Sequence, residues 1–406
     1  MRIIFVNLHT NEFLVKTASK YIFKQAVAMK HQYLLDYLIN NPEIEVCSYI
    51  NKHGTSIASN LPKFLMKIII ACRYLESKWV LKKNGIYNKI TIIKKVEDIH
   101  NNDIIILYQL YANKCKELKN VNAFKVMSLL HFFGNRANSE DIKECSPHFF
   151  INECDLKSHC ELFKKYYSWI TKDIYVYPFV AAQRFQKIKT FEERKKMVFS
   201  TGTITYKNHP EFIDVYSNPC DQPMRKYVKD NQEKLKGLID CYNSDFSEDS
   251  NKKMSIKSSD NKLIKLTKAG YYKFFASQQK KYFSFNMVDK FNDYQMCLIG
   301  EEILGIPGIG FVEGMSCGCA YIGKKGYYED YGMKDGIHYI GYNGTPEDLI
   351  DKIHYYQQSE HQQELKQIAL NGYQFAIENF KGEIVAKRLI DIIMERHNVY
   401  ISSNKA

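Results

Sequence analysis

The chain has 406 residues, room for one large or two medium domains, and its 45% apolar content is enough to bury real cores, which excludes wholesale disorder. A formal net charge of +12 favours anionic partners, whether phosphates, anionic lipid, acidic polymers or nucleic acid, without choosing among them. Eleven cysteines occur with no C-x-x-C pair, and Cys317 and Cys319 are too close for the usual zinc spacing, so free thiols in a reducing compartment are expected.

The opening "MRIIFVNLHT" turns polar at Asn7 and reads as a first strand, Ile3–Asn7, rather than a signal peptide. No run of about 18 apolar residues occurs, so no bilayer span is expected and a cytoplasmic protein is. A loop with His9 and Asn11 follows, then helical periodicity over Tyr21–Ile39 and a strand over Glu43–Ile50. In Leu61–Lys83 the apolar residues Leu61, Leu65, Ile68, Ile69, Cys72 and Trp79 fall at near-helical spacing. Lys63, Lys67, Arg73, Lys78, Lys82 and Lys83 surround them. That is the look of a helix lying on anionic lipid at the inner face of a membrane, and also of an ordinary domain helix with a solvated basic face.

Further strands are predicted at Asp103–Leu110, Phe124–Leu130, His148–Glu153 and Asp173–Val180. After the charged connector Gln186–Lys196 the pattern restarts with a strand over Met197–Ile204. A polar stretch, Asn243–Lys262, reads as a loop, and short strands recur at Tyr282–Val288, Tyr294–Gly300, Cys319–Gly323 and His338–Tyr342. Thr345-Pro346-Glu347-Asp348 is a helix start, "LNGY" a helix stop at Asn371-Gly372, and Ile384, Leu389, Ile390 and Ile393 line a last amphipathic helix. Continuous apolar runs separated by helices predict parallel sheets in two α/β halves, with ligands beyond the carboxyl ends of the strands.

The densest chemistry lies in "GIPGIGFVEGMSCGCAYIGKKG", Gly305–Gly326. Glycines let a backbone approach a ligand closely, and free N–H groups at a helix start attract phosphate or sugar oxygens. Glu313, in the first helical turn, could accept both hydrogen bonds of a ribose diol. The stretch is not a dinucleotide fingerprint, because Glu313 stands where the third glycine is needed, and no G-K-[ST] follows for a P-loop. Tight-turn glycines with a helix-start acid remain the purely structural alternative.

These residues resemble the donor-binding signature of the "group 1" (family 4-like) GT-B glycosyltransferases, roughly E-x-F-G-x-x-x-x-E-A-M-A-C-G-x-P-V-I. Pro307-Gly308 matches the F-G step, Glu313 the second glutamate, and Gly314–Gly318 the A-M-A-C-G run. "DYGMKDGIHYIGYNGTPEDLIDKI" and the closing "IALNGYQFAIENFKGEIVAKRL" resemble the segments that follow, and "KVMSLLHFFGN" places His131 where the family often carries a histidine facing the donor sugar.

The resemblance implies an α/β GT-B fold, two Rossmann-like domains facing a central cleft. Residues 1–190 would bind the acceptor, with a helix at about 381–406 crossing back, and 191–380 the nucleotide-sugar. It implies transfer of a sugar, with retention of configuration as the family pattern, from a nucleotide diphosphate-sugar to a glycan or lipid-linked glycan in cell-surface polysaccharide assembly of the capsule or LPS type; no Asp-x-Asp and no carboxylate/histidine cluster of metal-ligand spacing occurs, which fits a metal-independent mechanism. No further cofactor and no nucleic acid are implied. Glu313 would hold the ribose; Gly308, Ile309 and Gly310 would offer backbone N–H groups; Thr203, Lys207 and Lys281 would meet the diphosphate; His131 would face the sugar. The family's first glutamate falls at Gly305, and Glu301 and Glu302 are the nearest carboxylates, with Glu302 the candidate stand-in. A sugar-nucleotide epimerase of the same fold and a non-catalytic sugar-nucleotide binder are the alternatives.

Overall fold

The computed structural model describes residues 1–25, 27, 29–51, 63–130, 132, 134–245 and 285–403. The chain divides into two compact units, Met1–Glu153 with Tyr166–Tyr175 and Val385–Ala406, and Cys154–Lys165 with Val176–Ile384.

The first unit is built on a seven-stranded sheet of β1 (Arg2–Val6), β2 (Glu45–Tyr49), β3 (Ile90–Ile93), β4 (Ile104–Tyr108), β5 (Phe124–Ser128), β6 (Phe149–Asn152) and β7 (Ile174–Val176) in the order β3-β2-β1-β4-β5-β6-β7. β1 pairs in parallel with both β2 and β4, so the strand order reverses at β1. Every residue of β4 and β5 is buried, as expected of strands covered on both faces. Its helices include α1 (Ala18–Ile22), α2 (Gln32–Asn40), α3 (Lys63–Lys83) and α4 (Arg136–Glu144). The single helix expected over Tyr21–Ile39 is two: the chain leaves helical geometry after Ile22, with Lys24 at positive φ, and re-enters it at Gln32.

The second unit carries a five-stranded parallel sheet, β12-β11-β10-β8-β9, of β8 (Lys195–Ile204), β9 (Ile239–Asp245), β10 (Tyr294–Leu298), β11 (Ala320–Lys324) and β12 (Ile340–Tyr342). Here the order reverses at β8, between β9 and β10. Its described helices are α5 (Leu156–His159), α6 (Glu161–Tyr166), α7 (Pro210–Tyr216), α8 (Pro223–Asp230), α9 (Met287–Asp293), α10 (Gly310–Ser316), α11 (Pro346–Gln357) and α12 (Gln362–Asn379), followed by α13 (Gly382–Ser403). α6 ends across the division, since Tyr166 belongs with the first unit. One apolar core joins Val198, Met296, Leu298, Ile322 and Ile340 of the sheet to Leu349, Ile353, Leu365 and Ile368 of α11 and α12.

Two expectations are corrected. Of the strand expected at Tyr282–Val288, residues 282–284 lie outside the described residues, and the rest enters a helix: the Asn286 side chain accepts from the Val288 N–H at 3.0 Å and caps α9. Gly372 does not stop a helix. It lies inside α12, where a Cβ would come within 2.5 Å of the His338 carbonyl oxygen, so glycine serves close packing. Thr345 does cap α11, its hydroxyl accepting from the Asp348 N–H at 3.3 Å, with Pro346 in the first turn.

The expected boundary at 190 also differs from the division at Tyr175–Val176. Cys154–Lys165 joins the second unit because the Leu162 N–H donates to the Tyr216 hydroxyl at 3.3 Å and His159 meets Asp330 at 3.0 Å. Most of α13 belongs with the first unit, where Phe124 packs on His397 and Tyr400 and the Tyr400 hydroxyl reaches Asn122 at 3.0 Å.

Candidate functional site

The carboxyl ends of β8 and β10 meet at an arginine that sequence patterning passed over. Arg225, on the first turns of α8, is almost fully buried. Its guanidinium donates to three backbone carbonyls: Ile299 at 2.5 Å, Thr203 at 2.8 Å and Gly300 at 3.0 Å. Among the described residues it makes no ion pair. Burial pulls its pKa below the ordinary value, opposed by the fields of Glu302, Tyr321, Glu301 and Asp221. An arginine so placed still keeps its proton at neutral pH, so a fixed positive charge lies under these loops.

The glycine-rich segment passes directly over that charge. A Cβ on Gly308 would stand 2.6 Å from Arg225 Nη2 and 2.7 Å from Ile299, so only glycine lets the chain lie so close. Gly310 then opens α10, with Ile309 as its N-cap, and Glu313 sits half-buried in the first turn. Thr203, at the end of β8, is half-exposed, and its carbonyl is one of the three that Arg225 binds. Thr201 Oγ1, Asn243 Oδ1 and Ser244 Oγ, on the same ends of β8 and β9, are buried with no hydrogen-bond partner among the described residues.

The two glutamates before Gly305 have separate fates. Glu301 is buried and accepts from the Lys324 N–H at 2.8 Å, the Tyr328 hydroxyl at 2.6 Å and the Tyr342 hydroxyl at 3.2 Å. Burial, then Glu301, pushes the Tyr328 hydroxyl well above its usual pKa, so it stays a donor. Glu301 therefore locks the ends of β11 and β12 together. Glu302 is half-buried in a tight turn, its N–H donating to the Ile306 carbonyl at 2.9 Å, and it exerts the largest carboxylate field on Arg225.

Lys207 does not stand as an isolated cation. Its ammonium pairs with the buried Asp221 at 2.8 Å and lies 5.4 Å from the Phe212 ring centroid. His131 and Lys281 lie outside the described residues. Among the described residues no group of three or more His, Cys, Asp or Glu side chains could hold a metal ion.

In the first unit the carboxyl ends of the strands carry polar groups that sequence reading did not bring together. Tyr108 ends β4, and its hydroxyl meets His31 Nδ1 at 2.8 Å; His31 Nε2 lies 3.6 Å from the Glu153 carboxylate, just past β6. All three are buried. His9, after β1, is wholly buried, with neither ring nitrogen hydrogen-bonded among the described residues and Glu76 at 4.0 Å; burial, then Arg73, lowers its pKa to about 4. No periodic or spacing signal links His31, Tyr108 and Glu153 in sequence; only the sheet order brings β4 and β6 into one edge.

No family model and no curated protein matches the chain. Solved structures do. It is similar to HepE of Anabaena, solved with UDP and glucose, at 9% identity and a TM-score of 0.52, over 97% of this chain and 100% of that one. It is similar to sucrose-phosphate synthase of Thermosynechococcus elongatus at 10% identity and a TM-score of 0.52, over 97% of this chain and 98% of that one. HepE with UDP-glucose aligns at 10% identity and a TM-score of 0.50. At such identities the likeness establishes the fold, which is the GT-B fold with two Rossmann-like domains.

Proposed function

We propose that this GT-B chain is a glycosyltransferase that takes a sugar from a nucleotide diphosphate-sugar, with UDP the nucleotide to try first because HepE binds UDP and UDP-glucose. The observation that carries the proposal is the buried Arg225, without an ion pair among the described residues, beneath the glycine segment at the carboxyl ends of β8 and β10. A parallel sheet binds ligands at that edge, beside the strand where its order reverses.

In the proposed mechanism the donor diphosphate lies on the glycine segment, receiving the N–H groups of Gly308, Ile309 and Gly310. The Glu313 carboxylate accepts both hydroxyls of the ribose. As the bond to the sugar breaks, negative charge grows on the leaving diphosphate. A preorganised positive charge in a dry site stabilises that growth without reorganisation, and Arg225 supplies one from below while holding the loops in place. Thr203 adds to the diphosphate contacts, and Lys207 joins them only if it exchanges Asp221 for phosphate. The acceptor is a hydroxyl of a glycan or lipid-linked glycan.

Gly305 favours a second reading, binding without transfer, because the position where the resembling family carries a glutamate has no side chain. Incubation with UDP-glucose and a panel of glycan and lipid-linked acceptors separates the two. Transfer product, or slow donor hydrolysis abolished by Glu313→Ala, supports the enzyme. UDP-glucose binding with neither product nor hydrolysis supports the binder.

A further inference from the structure

We propose that the outward face of α3, joined by the end of α1, is a docking surface for an anionic lipid membrane. Ile68, Cys72, Leu75 and Trp79 recur at helical steps and so form one stripe. All four are exposed, Ile68 by 54% and Leu75 by 64%. The opposite stripe, Ser77, Val80 and Leu81, is fully buried and seats the helix on its domain. The helix thus turns apolar residues toward both the core and the solvent, which burial in its own fold does not require.

The exposed stripe continues onto α1. Tyr21 packs edge-on against Trp79 with centroids 5.9 Å apart, and its hydroxyl donates to the Lys83 carbonyl at 3.0 Å. Ile22, 66% exposed, and Phe23, also exposed, follow Tyr21 directly in the chain. Other exposed aliphatics among the described residues lie on other elements, such as Leu110 and Val399 in the first unit and Ile188, Ile213 and Ile337 in the second.

Charge selects the occupant. Lys82 and Lys83 flank the stripe on either side, exposed, with Lys78 and, around α1, Lys16, Lys20 and Lys24. The acids nearby are Glu76, 4.0 Å from His9, and Glu12, which pairs with Lys20 at 3.5 Å. An apolar stripe with a lysine rim and an interfacial tryptophan fits the boundary between anionic headgroups and acyl chains, where lysines reach phosphate and the aromatic ring stays at headgroup depth. Among the described residues no helix is long and apolar enough to cross a membrane, so the contact is a surface one. It does not depend on the glycosyl-transfer proposal.

The test is flotation of the whole protein with vesicles of phosphatidylcholine alone or mixed with phosphatidylglycerol. Wild type should float with the mixed vesicles and be released by high salt. Leu75→Glu with Trp79→Glu should cut partitioning at least about tenfold, and so should Lys82→Glu with Lys83→Glu. Ile337→Glu, a surface change in the other unit, should float as wild type does. The chain has two tryptophans, so Trp169→Phe leaves Trp79 as the sole reporter. Its emission should shift to the blue on mixed vesicles and be quenched by brominated acyl chains; should that variant not fold, the wild-type difference spectrum gives the same reading. Absence of flotation at low salt would overturn the proposal. So would flotation unchanged in the Leu75/Trp79 variant, or self-association through the stripe without vesicle binding.

Discussion

Gly305 packs directly on the backbone of His159: a Cβ at Gly305 would lie 2.5 Å from His159 Cβ and 2.8 Å from its carbonyl oxygen, and the glycine has φ +80°. Both constraints forbid a side chain. Left-handed geometry costs an L-residue about 1 kcal/mol or more, and overpacking adds roughly 1–3 kcal/mol. Gly305→Ala should therefore lower stability by about 2–4 kcal/mol in thermal or urea unfolding. Gly305→Glu should destabilise likewise and raise no transfer activity, so the missing glutamate cannot be put back by one substitution. An alanine variant melting with wild type would refute this packing.

Arg225 should resist even its conservative replacement. Lysine keeps the charge but cannot reach three carbonyls in the plane of one fork. Each charge-assisted bond lost costs about 1.5–3 kcal/mol, so Arg225→Lys should lose roughly 2–4 kcal/mol by chemical denaturation. If the guanidinium also supplies charge to a diphosphate, Arg225→Met should weaken UDP binding more than Arg225→Lys does. Equal affinity in the two variants would assign Arg225 to loop support alone.

The adjacent glutamates should separate stability from function. Glu301→Gln places an amide among two tyrosine hydroxyls and a backbone N–H that all donate, leaving donors unsatisfied. Its melting temperature should fall by several degrees, with about 2 kcal/mol lost. Glu302→Gln should, if Glu302 faces the donor sugar, lower turnover more than it lowers the melting temperature. The reverse pattern would exchange the two roles.

Acid should weaken the first unit before the carboxylates titrate. His9 is held neutral with its pKa lowered to about 4 by burial and Arg73, and His148 is lowered to about 4 by burial, Lys125 and Lys172. Unfolded histidines take up protons below about 6.5, while the folded ones stay neutral until about 4. Protons therefore favour the unfolded chain, and stability falls as pH drops from about 6.5 towards 4. His9→Gln should flatten that fall in melting temperature between pH 7 and 5; an unchanged slope would mean that His9 does not contribute.

Strands with continuous apolar runs, such as Ile104–Tyr108 and Tyr294–Leu298, were legible because burial on both faces leaves one pattern. β9 was not, since its edge sequence "IDCYNSD" is polar and its Asn243 side chain is spent on Ser200 and the Arg225 carbonyl. Of the site, the glycine segment and Glu313 could be read because close backbone approach demands glycine. Arg225 could not: in "PMRKYV" it looks like any solvated helix arginine, and only the folded sheet shows what covers it. Lys207 read as a free cation because its partner, Asp221, is fourteen positions away in a segment with no pattern of its own.

The most direct measurement is calorimetric titration of UDP into wild type and Glu313→Ala. Wild type should bind, and the variant should bind at least about tenfold more weakly, because a ribose diol loses two charge-assisted hydrogen bonds. Absence of UDP, GDP, ADP, CMP and dTDP binding to wild type at millimolar concentration, or UDP affinity untouched by the substitution, would contradict the account of a nucleotide-sugar held on the glycine segment.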